Sequence, residues 1–141
     1  MNALKVDVNR VLELLRDERY EIQWDDCWDT LKYLDVTYKA YLSLFLEALQ
    51  FETSFARLYA MEALTKIGLS SAELTEAFLP MLKDADYEVQ LKALKWIGSH
   101  NDRSPKIRTA LRSLLMVSNC ALYLKFKAAL ILFSGRRAFP E

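Results

Sequence analysis

Three segments of this chain place apolar residues at the same offsets of 0, +4, +7 and +8. Ala56, Ala60, Ala63 and Leu64 form the first set, Val89, Ala93, Trp96 and Ile97 the second, and Leu124, Ala128, Ile131 and Leu132 the third. Those offsets mark one face of a helix with about 3.6 residues per turn. The sets begin 33 and then 35 residues apart. A period of that size requires a supersecondary unit that cannot bury its apolar face alone and stacks on its neighbours instead. The most constrained stretch, Leu79 to Gly98, reads as two helical patterns meeting at the turn Asp84-Ala85-Asp86. It predicts a helical hairpin.

The remaining elements follow in order. Leu4 to about Tyr20 reads as a helix with Val8, Val11, Leu12 and Leu15 on one side and Asp7 as a candidate cap. A short helix follows, with Trp24, Trp28 and Leu31 spaced by four and three and with Asp25 or Asp26 in its first turn, where the helix dipole favours an acid. From Thr37 to about Phe51 apolar residues cover most of the circumference, which predicts a largely buried helix. Thr53 or Ser54 caps the next helix, and Gly68 ends it. Ser70 and Glu73 have capping-box spacing, and Pro80 lies inside the helix that they open. The expectation there is one kinked helix, since proline removes a single backbone hydrogen bond. Ser104-Pro105 starts the penultimate helix and Ser118 or Asn119 the last, which runs to about Ser134 before Gly135.

The second helices of these pairs, ARLYAMEALTKIG, VQLKALKWIG and LKFKAALILF, resemble the HEAT-repeat pattern, an acidic turn followed by V-R-x-x-A-A-x-A-L-G-x-I-G. Ala56-Arg57 and Val89-Gln90 occupy its first two positions, Ala60 and Ala93 the first alanine, and Leu64 and Ile97 the leucine. The resemblance implies an all-α, HEAT-like α-solenoid of antiparallel helix pairs, about seven or eight helices in all. Residues 1–141 read as a single domain: a divergent amino-terminal cap over 1–36, about three helix-pair repeats over 37–135 and a basic tail over 136–141. Such arrays most often serve as protein-binding scaffolds.

Charge refines that expectation. The chain holds 19 bases and 19 acids, yet residues 1–50 carry ten acids against six bases and residues 101–141 two against eight. An acidic, aromatic first part therefore precedes a basic end. Trp24, Asp25, Asp26, Trp28 and Asp29 form the candidate surface for a basic protein partner, because Trp anchors dominate binding hot spots. Arg103, Lys106, Arg108 and Arg112 form the candidate surface for phosphate or an acidic partner, with Arg108 and Arg112 one turn apart. The alternative function is nucleic-acid binding through that basic surface, resembling the helical-repeat DNA glycosylases.

Catalysis is not expected. His100 is the single histidine, and no glycine-rich phosphate loop, HExxH or CxxC motif occurs. Asp25, Asp26 and Asp29 are the best carboxylate constellation; helix capping and solvation explain them, with a hard cation as the competing use. No cofactor is expected. The first residues lack the apolar core of a secretory signal, and the longest apolar run, Ala128 to Phe133, is far short of the roughly 20 residues that cross a bilayer. Cys27 and Cys120 stand alone, as befits reduced thiols. The expectation is a cytoplasmic, non-enzymatic adaptor or stoichiometric inhibitor, a bacterial toxin immunity protein being one form that fits the size and charge.

Overall fold

Short polar side chains decide where the helices of this chain begin. The computed structural model describes residues 5–17, 24–100, 104–116 and 121–134. Among these there are eight α-helices and no strand. Contacts divide the chain into two compact units, residues 1–74 and 75–141, with the division inside the fifth helix.

In the first unit, α1 spans Val8–Arg16, and Asp7 caps it by accepting the Arg10 N–H at 3.2 Å. Val8, Val11, Leu12, Leu14 and Leu15 are buried, so the apolar face is slightly wider than the four residues expected. α2 spans Trp24–Asp29 and passes into a 3-10 turn over Thr30–Tyr33. The segment expected as one helix from Thr37 divides in two. A 3-10 turn covers Val36–Tyr41, and α3 covers Leu42–Ala48. Asp35 explains the tighter start: its carboxylate accepts from the Thr37 N–H at 2.9 Å and the Thr37 hydroxyl at 2.5 Å, fixing the chain at the first residues of the turn. These hydrogen bonds hold the Asp35 carboxyl below its ordinary pKa. Tyr38 is buried and its hydroxyl accepts the Val6 N–H at 2.9 Å, tying the chain ahead of α1 to this turn. Phe45, Ala48 and Leu49 are buried, whereas Leu46 is exposed, so burial of this segment is one-sided.

α4, Ser54–Ile67, is the central element of this unit and packs on α1, α3 and both 3-10 turns. Its cap is Thr53, which accepts the Ala56 N–H at 3.3 Å. Ala56, Ala60, Ala63 and Leu64, the first repeated set, are all fully buried. Small residues at these positions let neighbouring helices approach closely. Gly68 ends the helix in the left-handed region at φ +98°, and the Gly68 and Leu69 N–H groups both return to the Leu64 carbonyl at 3.3 Å. That is the αL closure that glycine permits without a Cβ penalty.

α5 covers Ser71–Phe78, and Ser70 accepts the Glu73 N–H while donating its own hydroxyl proton to the Glu73 carboxylate at 2.8 Å. The helix does not carry through Pro80 as a kinked α-helix. It ends at Phe78, and Leu79–Lys83 continues as a 3-10 turn with Pro80 in its first positions, where the missing N–H costs least.

In the second unit, Leu79, Met81 and Leu82 of that turn are buried, and the turn packs on α6 and α7. α6, Tyr87–Ser99, is capped by Asp86, which accepts from Glu88 N–H at 2.9 Å and Val89 N–H at 3.3 Å. Val89, Ala93, Leu94 and Ile97 are buried, and Trp96 is half-buried. α7 is Pro105–Met116 and α8 is Leu122–Ser134; α7 and α6 both pack on α8. No helix of the described residues is long and apolar enough to cross a membrane. Cys120, Arg136, Arg137 and the start signals at Ser118 and Asn119 lie outside the described residues.

Candidate functional site

α2 is too short to bury a full face, and its six residues divide by angle. At about 100° per residue, Cys27, Trp24 and Trp28 fall on one side while Asp25, Asp29 and Asp26 fall on the other. Cys27 is buried, and all three aspartates are exposed. Trp24 and Trp28, expected together as anchors, have different environments. Trp24 stacks flat on Phe55 of α4, with ring centroids 4.8 Å apart and planes 3° from parallel. It is half-buried, and among the described residues its indole N–H is buried and makes no hydrogen bond. Trp28 lies at the border with the acidic side. It packs on Phe55 at 5.6 Å and edge-on against Tyr59 at 6.4 Å, yet remains 38% exposed.

Beneath this pair a part-buried polar link joins α2 to α4. Thr30 Oγ1 lies 2.5 Å from the Cys27 carbonyl oxygen and 2.5 Å from the Tyr59 hydroxyl. A carbonyl only accepts, so Thr30 spends its single proton there and the Tyr59 O–H donates to Thr30. Burial pushes the Tyr59 phenol up to about 12. The Cys27 thiol is pushed up as well, first by burial and then by the Asp26 charge, with Arg10 acting against both. Neither group is prepared to ionise near neutral pH. Tyr59, with Phe55, holds the floor on which Trp28 rests. Phe55 and Thr30 were not among the expected residues; Phe55 stands one helical turn before Tyr59, and that spacing is the signal that marks it.

The aspartates do not form a metal-holding set. Among the described residues, no group of three or more His, Cys, Asp or Glu side chains is arranged to hold a metal ion.

The basic candidates belong to the second unit. Arg103 lies outside the described residues. Lys106 is engaged by Glu76 of α5 in an exposed ion pair. Arg108 and Arg112 are both exposed on α7, one turn apart as expected. Arg112 also lines an open depression of about 400 Å³ with Thr109, Ser113 and Met116. The three described bases thus separate into a paired lysine and two solvent-facing arginines.

His100 closes α6 as its carboxyl-terminal cap. Its ring lies 3.5 Å from that of Trp96, and Nδ1 is 2.7 Å from the Trp96 carbonyl oxygen. Nδ1 therefore carries the proton and donates to that carbonyl. Trp96 itself packs edge-on against Phe78 at 5.7 Å and donates its indole N–H to Thr75 at 3.4 Å. The Ser99 hydroxyl donates to the Trp96 carbonyl at 2.9 Å. The histidine terminates the helix, and the Ser99 hydroxyl, 2.9 Å from its Nδ1, spends its proton on the Trp96 carbonyl.

Set against protein-family models, curated proteins and solved structures, the chain matches none of them.

Proposed function

We propose that this chain is a HEAT-like, non-enzymatic protein-binding module of the cytoplasm, an adaptor or stoichiometric inhibitor that engages a basic partner through α2. One observation carries the reading: Trp28 is held by Phe55 and Tyr59 while 38% exposed beside three exposed carboxylates. A rigid aromatic edge costs little entropy to bury, and flanking acids steer a cationic partner toward it. Phosphate recognition through Arg108 and Arg112 is the competing reading, supported by their exposure and weakened by the commitment of Lys106 to Glu76.

Affinity capture at about physiological ionic strength, with and without nuclease, separates the two. The expected result is one stoichiometric protein that survives nuclease. Trp28→Ala should weaken its binding by roughly 30-fold, the equivalent of about 2 kcal/mol at a hot spot. Replacing Asp25, Asp26 and Asp29 with Asn should slow association most at low salt. Capture that disappears on nuclease treatment, or that is indifferent to Trp28→Ala, removes the α2 reading. Loss of capture on reversing Arg108 and Arg112 to Glu would put the function on α7.

A further inference from the structure

α8 is apolar on two opposite sides, and only one of them is covered. Leu124, Ala128 and Ile131 are buried. Leu122, Phe126 and Phe133 are 82%, 59% and 76% exposed. By the helical angle of about 100° per residue these three cluster within roughly 40° of one another, nearly opposite the buried set. Ala129 fills the same stripe at +7 from Leu122, giving the offsets 0, +4, +7 and +11. A helix apolar all round is ordinarily enclosed on every side. Met116, the last residue of α7, is also 85% exposed.

The charges that α8 itself carries beside the stripe have one sign. Lys125 lies on one flank and Lys127 on the other by helical angle, and the Lys127 ammonium sits 5.5 Å from the Tyr123 ring centre and 5.9 Å from that of Phe126. Residues 104–134, which include all of α7 and α8, contain five bases and no acid.

The geometry points to this stripe of α8 as a docking site for an amphipathic, acidic helix of a partner protein. Beyond the α2 surface, it gives the chain a second binding face of opposite charge on its other unit. Eleven residue steps at about 1.5 Å make the stripe roughly 16 Å long, three turns of a single helix laid against it. Apolar residues of the incoming helix would cover Leu122, Phe126 and Phe133, and its flanking carboxylates would meet Lys125 and Lys127. A second copy placed face to face would instead set those lysines against their own equivalents, with no carboxylate on α7 or α8 of either copy to answer them. An anionic bilayer would meet the same local lysines, and vesicle binding is therefore one of the outcomes that overturns the proposal.

The test uses the whole chain and two labelled synthetic 18-residue helical peptides with the same leucine stripe, one flanked by Glu and one by Lys. The Glu-flanked peptide should bind at least tenfold more tightly than the Lys-flanked one and should weaken as salt rises. Replacing Leu122, Phe126 and Phe133 together by Ser should cost at least tenfold, with helical circular dichroism unchanged because all three are exposed. Lys125→Glu with Lys127→Glu should reverse the preference between the peptides. Trp28→Ala should bind the Glu-flanked peptide as the unaltered chain does, so failure of the α2 reading leaves this result standing and the converse also holds. Absence of binding, or equal binding of both peptides, overturns the proposal. So does co-sedimentation with vesicles of 70% phosphatidylcholine and 30% phosphatidylserine that the triple Ser variant abolishes, or a concentration-dependent dimer abolished by the same variant.

Discussion

Thr30 and Tyr59 supply a sharp test of how α2 is held to α4. Removing the phenol oxygen with Tyr59→Phe deletes one hydrogen bond and leaves Thr30 still donating to the Cys27 carbonyl, so the cost should be about 1 kcal/mol. Thr30→Val keeps the shape but removes a hydrogen bond from the part-buried Cys27 carbonyl and strands the Tyr59 O–H, on a side chain with no exposed area. About 1 kcal/mol for the lost bond and the lower end of about 1 to 3 kcal/mol for the stranded hydroxyl give about 2 to 3 kcal/mol for Thr30→Val. In the double variant no hydroxyl is stranded, so its cost should fall short of the sum of the single costs by at least about 1 kcal/mol. Urea denaturation followed by helical circular dichroism, at constant slope, measures all three. The hydroxyl also gives the pair a pH signature. Burial raises the folded pKa of Tyr59 from 10 to about 12, so the unfolded chain loses its proton first as pH rises. The stabilisation is complete below about pH 10 and is lost between about pH 10 and 12, amounting to about 2 to 3 kcal/mol in favour of Tyr59→Phe. Relative stabilities should therefore cross, with the unaltered chain ahead at pH 8 and Tyr59→Phe ahead above roughly pH 10.6. Strictly additive single variants, or a stability difference that stays constant from pH 8 to 12, would refute the assigned donor pattern and the burial of the phenol.

Two further outcomes rest on local geometry. Gly68→Ala should destabilise the first unit by about 1 to 2 kcal/mol in the same urea assay, because the residue sits at φ +98° and a Cβ would approach the Val36 Cγ1 to 3.2 Å; an unchanged midpoint would mean that α4 can close without the left-handed turn. In a Cys120→Ser chain, Cys27, 2% exposed with its thiol pKa raised, should react with a thiol reagent at pH 8 only after unfolding, and native labelling at the rate of a free thiol would contradict its burial.

The parts of the fold legible in the sequence were those decided within one turn of a helix. Asp7, Thr53, Ser70 and Asp86 each meet an amide two or three residues ahead, and Gly68 closes the turn behind it. Side-chain chemistry and spacing suffice for such features. The repeated offsets were legible for the same reason, although Trp96 and Leu132 are only half-buried. What escaped depends on distant neighbours. The Val36–Tyr41 turn answers to Asp35 locally but also to a tyrosine whose hydroxyl must reach Val6, 32 residues away. At the candidate site the acidic side of α2 could be read directly. The division of labour between Trp24 and Trp28 could not, because Phe55 and Tyr59 of another helix impose it. α8 shows the limit most clearly: a helix apolar on two opposite sides carries no internal sign of which side its neighbours will cover.

The placement of the indoles also makes the molecule its own instrument. The chain has three tryptophans; Trp24 and Trp28 belong to the first unit and Trp96 to the second. Each unit thus contains an intrinsic fluorophore in a distinct setting, one pair against Phe55 and one ring against His100. A Trp96→Phe chain emits only from the first unit, and a chain with Trp24→Phe and Trp28→Phe only from the second. Comparing their emission through a denaturant series would show whether the two halves melt in a single cooperative event or in sequence.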